Sequence, residues 1–156
     1  MKLRSDAPEL YEELGELYLK KNSLDEARAT LEQALKLEPL RPRTLYLFGQ
    51  WYLIGREQEK AIPYLQKALR YDANLLQARA SLGKAYLRAG RPEAAASELE
   101  KALPLDFYGD LHYLLYQAYR DLGKVELARA ALSRSEEMRK NSVARDRDKL
   151  ERWMKN

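Results

Sequence analysis

Residues 8–41 read PELYEELGELYLKKNSLDEARATLEQALKLEPLR, and this run of 34 residues recurs along the chain. It holds Leu14-Gly15, Tyr18, Ala27, Leu31, Ala34 and Pro39. One period later stand Phe48-Gly49, Tyr52, Ala61, Leu65, Ala68 and Ala73. A third pass gives Leu82-Gly83, Tyr86, Ala95, Leu99 and Ala102. The fourth follows after 33 residues, with Leu115-Tyr116, Tyr119, Ala128, Leu132 and Ser135. Self-similarity at this period marks a solenoid of supersecondary units, each unable to bury its apolar face alone.

The recurring residues make physical sense as a helix pair. Gly inside a helix costs about 1 kcal/mol relative to Ala. Gly15, Gly49 and Gly83 share one register, so they point to a shared need for close helix approach. Ala27, Ala61, Ala95 and Ala128 fit the same need, since a larger side chain would overpack the contact at roughly 1–3 kcal/mol. Each tyrosine three residues after the glycine lies on the same helical face and fills the space beside it.

This pattern resembles the tetratricopeptide repeat (TPR), a helix-turn-helix unit of the same length. With Pro8 as position 1, the small residue at position 8 is Gly15, Gly49 and Gly83. The aromatic at position 11 is Tyr18, Tyr52, Tyr86 and Tyr119. Position 20 is alanine in all four copies, and position 27 is Ala34, Ala68, Ala102 and Ser135. The pattern departs at Tyr116, which takes position 8 of the last copy, and at Tyr11, Leu45, Arg79 and His112, which take position 4. The position-32 proline occurs once, as Pro39. The resemblance implies an all-α, right-handed α-solenoid of four repeats in a single domain. The repeats fall at about 8–41, 42–75, 76–108 and 109–142, followed by a C-terminal capping helix at about 143–154.

Read in order, the first helix of repeat one starts at Pro8, with Ser5 or Asp6 as N-cap, and stops at Asn22-Ser23. Its partner runs from Asp25 to Leu37. The next pair spans about Pro42 to Gly55 and Gln58 to Tyr71. Pro63 lies close enough to the start of its helix that few N–H bonds are lost, so the helix is kept with a slight bend. The third pair covers about 75–88 and 92–103, with Pro104 cutting the last turn short and Phe107-Tyr108-Gly109 distorting the join. The fourth starts near Asp110, stops at Gly123 and resumes at Val125. Beyond Asn141 a charged helix carries Val143, Leu150, Trp153 and Met154 on one side. Such a segment suits a cap over the bare end of a stack, either continuous with the preceding helix or hinged at Asn141.

Composition narrows the function. A 46% hydrophobic fraction supports a real core. The absence of cysteine removes disulfides and thiolate metal sites. No apolar run nears the ~20 residues of a membrane helix, and residues 1–8 carry no leader-like apolar stretch. This weighs toward the cytoplasm, although a leader could have been removed from a chain that opens almost directly on a repeat. All seven glycines have structural places, and no GxxxxGK or GxGxxG string exists. The single histidine, His112, sits at a packing position without a cluster of metal ligands around it. No cofactor, small-molecule substrate or enzymatic chemistry is expected.

Function is expected from the side chains that the repeat leaves free. In the family the first helix of each repeat lines the concave face, through positions 2, 5, 9, 12 and 13. Carried over, these give a groove of Glu9, Glu12 and Glu16, then Arg43, Tyr46 and Gln50, then Gln77, Lys84 and Arg88, then Tyr113, Gln117 and Arg120. The floor is graded from acidic to aromatic and amide to basic. Tyr46 and Tyr113 suit interface anchors, and Gln50 and Gln117 can hold a peptide backbone. The expected partner is an extended peptide or a partner helix, with the chain a protein–protein scaffold inside a larger protein or assembly. The clamp by which some relatives hold a chaperone's C-terminal carboxylate is not matched, since Glu12, Glu16, Leu47, Gln77 and Ser81 stand at its positions. Homodimerisation through the stack ends, or through Trp51 and Trp153 if exposed, is the alternative. Nucleic-acid binding ranks below both: the run Arg145 to Lys155 has five positive and three negative residues, and a cap explains it.

Overall fold

The computed structural model describes residues 7–154, so the Ser5 and Asp6 capping expectation and Lys155 lie outside the described residues. Eight α-helices follow one another among the described residues. They are α1 (Pro8–Lys20), α2 (Leu24–Leu37), α3 (Pro42–Ile54), α4 (Gln58–Tyr71), α5 (Leu76–Arg88), α6 (Pro92–Ala102), α7 (Asp110–Asp121) and α8 (Val125–Met154). Each odd-numbered helix packs most extensively on the helix that follows it. Odd-numbered helices also touch the next odd-numbered helix, α1 on α3, α3 on α5 and α5 on α7, whereas the even-numbered ones form no comparable layer. A stack closer on one side than the other bends, and its inner side is the odd-numbered layer.

Small residues set the pairing distance. A Cβ added at Gly15 would stand 2.6 Å from Leu31, at Gly49 2.5 Å from Leu65, and at Gly83 2.6 Å from Leu99. Those three leucines are 0% exposed. Each is thus a knob of the second helix seated where its partner has no side chain. Ala27, Ala61 and Ala95 are equally buried on the facing side. The fourth pair lacks the notch, because Tyr116 replaces glycine and Leu132 is only half-buried.

The turn inside each pair is built alike. The position-11 tyrosine carbonyls of Tyr18, Tyr52, Tyr86 and Tyr119 accept the N–H groups of Ser23, Glu57, Arg91 and Lys124 at 2.8–2.9 Å. That six-to-one bond is the Schellman closure of a helix C-terminus, and it needs one left-handed residue before the donor. Asn22 (φ 59°), Arg56 (φ 61°), Gly90 (φ 70°) and Gly123 (φ 69°) supply it. In the second repeat the left-handed residue is therefore Arg56, whereas Gly55 has φ −69°.

The join between the third and fourth pairs is irregular, as Pro104 implies. Helix α6 stops at Ala102, and a 3-10 turn at Leu103–Leu105 follows. Asp106 is buried there, accepting hydrogen bonds from the His112 backbone N–H at 2.9 Å and pairing with His112 Nδ1 at 2.6 Å. Burial alone would raise the Asp106 carboxyl, but the His112 ring and the backbone N–H groups of His112 and Leu111 outweigh it and hold the carboxyl below its ordinary value. A lowered folded-state value means that Asp106 stabilises the fold above the ordinary carboxylate range near pH 4. That contribution is lost as pH falls from there through the folded-state value. Asp106→Asn should lower stability by about 1–2 kcal/mol at neutral pH and flatten the acid limb, measured as urea midpoints from neutral to acid pH. An unchanged acid limb would show that another carboxylate controls it.

Of the two forms expected for the C-terminal segment, the structure takes the continuous one: residues 143–154 extend α8, which runs unbroken for 30 residues. Val143 is 69% exposed and Trp153 77%, with Leu150 and Met154 also exposed. The helix continues past the stack instead of covering an apolar face. Trp51, by contrast, is half-buried and donates its indole N–H to the Leu24 carbonyl at 2.8 Å, so it ties repeats one and two together. Pro63 leaves α4 uninterrupted.

Candidate functional site on the concave face

Helices α1, α3, α5 and α7 carry all twelve groove candidates. Repetition places these side chains at the same positions of each inner helix, but their surroundings differ greatly. On α1 the carboxylates are engaged inside the protein. Glu12 is 1% exposed, accepting from Thr44 Oγ1 at 2.6 Å and from Arg41 Nε at 2.9 Å. It therefore holds α1 to α3, and a ligand cannot reach it; sterically it leaves the set of groove-floor residues. Glu9 pairs with Arg41 Nη2 at 2.8 Å. Glu16 takes Lys20 at 2.8 Å and Arg43 at 2.9 Å. The Lys20 hydrogen bond does most to lower the Glu16 carboxyl, against partial burial and with help from Arg43. The acidic end foreseen for the groove is thus neutralised from within.

The middle of the face is a shallow depression of about 210 Å³. Leu19, Leu47 and Ile54 make its walls, with Glu16, Lys20, Tyr46 and Gln50 at its polar points. The Gln50 amide donates to Ser81 Oγ on α5 and, at 3.3 Å, to the Tyr46 hydroxyl. Burial pushes the Tyr46 phenol above its usual range. The structure thus brings Glu16, Arg43, Tyr46 and Gln50 together across α1 and α3. Thr44, Arg41 and Ser81 complete this network and were not legible as site residues. Their partners lie 32, 29 and 31 residues away, beyond any helical period.

Toward the other end, Lys84 and Arg88 stand one helical turn apart on α5. Arg88 donates to the Leu53 carbonyl at 3.1 Å. Gln77 is exposed at the start of the same helix. On α7 the candidates scatter. Tyr113 lies under the Arg139 guanidinium of α8, 5.2 Å from the ring centroid, and beside Tyr116. Arg120 pairs with Asp121 at 2.8 Å. Gln117 is half-buried. Tyr119, on the packing side, donates to Glu100 at 2.6 Å, and burial together with that bond pushes its phenol up to about 12.

A larger depression, about 730 Å³, lies at the turn between α2 and α3, with Arg43 at its edge. Leu37, Pro39, Leu40, Pro42 and Leu75 line it with an Arg41–Glu38 ion pair, together with Arg43 and Asp72. Among the described residues no group of three His, Asp or Glu side chains could hold a metal ion. Among the described residues no helix is long and apolar enough to cross a membrane.

Comparison with known proteins follows the same lines. No curated protein matches the chain. Among solved structures, one of MamA is 20% identical, with a TM-score of 0.76 over 92% of this chain and 84% of that chain. YrrB, described as a TPR protein with an unusual peptide-binding site, is 23% identical, with a TM-score of 0.72 over 96% of this chain and 77% of its own. The Cut9–Hcn1 structure of the APC/C gives a TM-score of 0.80 at 22% identity, but this chain spans only 28% of the matched chain. These likenesses concern the fold. A family model for the tetratricopeptide repeat matches residues 12–75, 59–110 and 80–143, so the chain belongs to the tetratricopeptide repeat family.

Proposed function

We propose that this chain is a protein–protein interaction module that seats an extended segment of a partner on its concave face and performs no chemistry of its own. The observation that carries this reading is the depression between α1 and α3. Its apolar walls face a phenol and an amide, the combination that anchors a peptide by contact area and fixes it by hydrogen bonds. Gln50 is held in place by Ser81 and Tyr46, so little side-chain freedom is lost on binding. YrrB, alike in fold, is a peptide binder by its description. The test is an array of short peptides probed with the wild-type chain and with Tyr46→Ala/Gln50→Ala. Binding should fall about tenfold or more with helicity unchanged, as the loss of one anchor implies. Undiminished binding would move the site elsewhere.

A second reading rests on α8. Its apolar residues Val143, Leu150, Trp153 and Met154 stand exposed together on the extension, which favours self-association there. Light scattering over a dilution series decides it, because a stable dimer keeps its mass and a monomer never shows it.

A further inference from the structure

The charges on the concave face are unevenly used. Glu9, Glu12, Glu16, Lys20 and Arg43 neutralise one another or Arg41, and Arg120 is matched by Asp121. Lys84 and Arg88 have no carboxylate partner among the described residues, although they stand one turn apart on α5. Arg88 also shares a depression of about 400 Å³ with Arg56 and Gln58, and no acidic side chain lines it. Arg56 likewise pairs with no carboxylate among the described residues. It adopts the left-handed conformation that two other repeats give to glycine, a conformation that disfavours a long side chain. Retained strain beside an unneutralised cluster is a reason to ask what the cluster holds.

We infer that the partner segment carries carboxylate side chains, seated on Lys84 and Arg88 of α5 and, beside Arg88, on Arg56 of the turn between α3 and α4. The inference rests on the groove reading above and adds the chemistry of the partner. Desolvation on this face, and after it the Arg88 charge, push the Lys84 ammonium below the usual lysine range. The negative charge of an arriving carboxylate offsets both effects. Arg56 and Arg88 offer planar guanidinium forks, which match carboxylates in a bidentate way. Gln58 adds an amide donor on the same depression. A nucleic-acid strand is the poorer fit, since it needs a continuous basic stripe, and elsewhere on the inner helices Arg43 and Arg120 are paired with Glu16 and Asp121.

The experiment is an array of random-sequence short peptides, with a single-stranded oligouridine probe alongside, read for wild type and three variants. Wild type should favour peptides rich in Asp and Glu by about tenfold, and more weakly at high salt. Lys84→Ala/Arg88→Ala should abolish that preference while neutral peptides still bind. Lys84→Glu, which leaves the Arg88 contact to Leu53 intact, should reverse it. Tyr46→Ala/Gln50→Ala should remove acidic and neutral binders together. Groove-dependent binders without acidic enrichment would overturn the inference and leave the groove reading standing. Binders indifferent to all three variants, or no binders, would overturn both. Oligouridine binding that exceeds acidic-peptide binding and is lost with Lys84→Ala/Arg88→Ala would replace the peptide by nucleic acid.

Discussion

Replacing Arg41 with methionine is expected to destabilise the chain by about 3 kcal/mol, the low end for breaking a buried ion pair. Arg41 gives each of its three nitrogens to a different carboxylate: Nε to Glu12, Nη2 to Glu9 and Nη1 to Glu38. Glu9 and Glu38 are exposed and water can replace what they lose, so those two contacts are worth little. Glu12 cannot be rehydrated at 1% exposure. Without Arg41 it retains Thr44 Oγ1 at 2.6 Å and a longer approach from Arg43 at 3.8 Å, which keeps the loss from being larger. Glu12→Leu combined with Arg41→Met should recover most of the loss, because no charge is then left buried. Lysine at position 41 should rescue only in part, since an ammonium lacks the fork that reaches three carboxylates. Urea midpoints for the two single variants and the double variant make a cycle whose coupling term reads the pair directly. A coupling near zero would mean that Glu12 is held by Thr44 alone.

Gly109→Ala should cost about 2–4 kcal/mol, whereas Gly123→Ala should cost only about 1. Both glycines have positive φ, 85° and 69°, so each substitution carries the left-handed penalty. They differ in what surrounds them. An added Cβ at Gly123 meets nothing within 4 Å, but at Gly109 it would lie 2.6 Å from the Ser135 carbonyl oxygen and 2.9 Å from its Cα. Those are backbone atoms of a helix, and they cannot rotate away as a leucine methyl can. The start of α7 must therefore move off α8. Because each repeat contacts only its neighbours, the damage should be concentrated in the last pair. Hydrogen exchange should show α7 and α8 losing protection while α1 to α4 keep theirs. Equal costs at the two glycines would show that the join has room to relax.

Much of this architecture was already written in the chain. Gly15, Gly49 and Gly83 disclosed a notch, and the leucines at the matching register of the second helix fill it. Pairing within a repeat links residues a fixed distance apart, so periodicity exposes it. The same rule fails between repeats. Glutamates at positions 9, 12 and 16 looked like a ligand's acidic wall, and a pattern of types cannot reveal that Arg41 and Arg43 reach back to take them. Those partners are set by the angle at which α3 stacks on α1. Arg56 shows the converse. The spacing ends α3 at Gly55, which is its C-cap, yet the left-handed φ belongs to Arg56, as the register with Asn22, Gly90 and Gly123 shows.

What the sequence alone determined, then, is the repeated helix pair, because it follows from short-range spacing of small and apolar side chains. Only the tertiary structure decided which charges are consumed inside and which are left without an opposite charge among the described residues. It also decided that α8 runs past the stack with Val143 and Trp153 in solvent rather than closing it. The reason is physical: spacing places a side chain on a face, but its free energy depends on which groups the neighbouring element brings within a few ångströms of it.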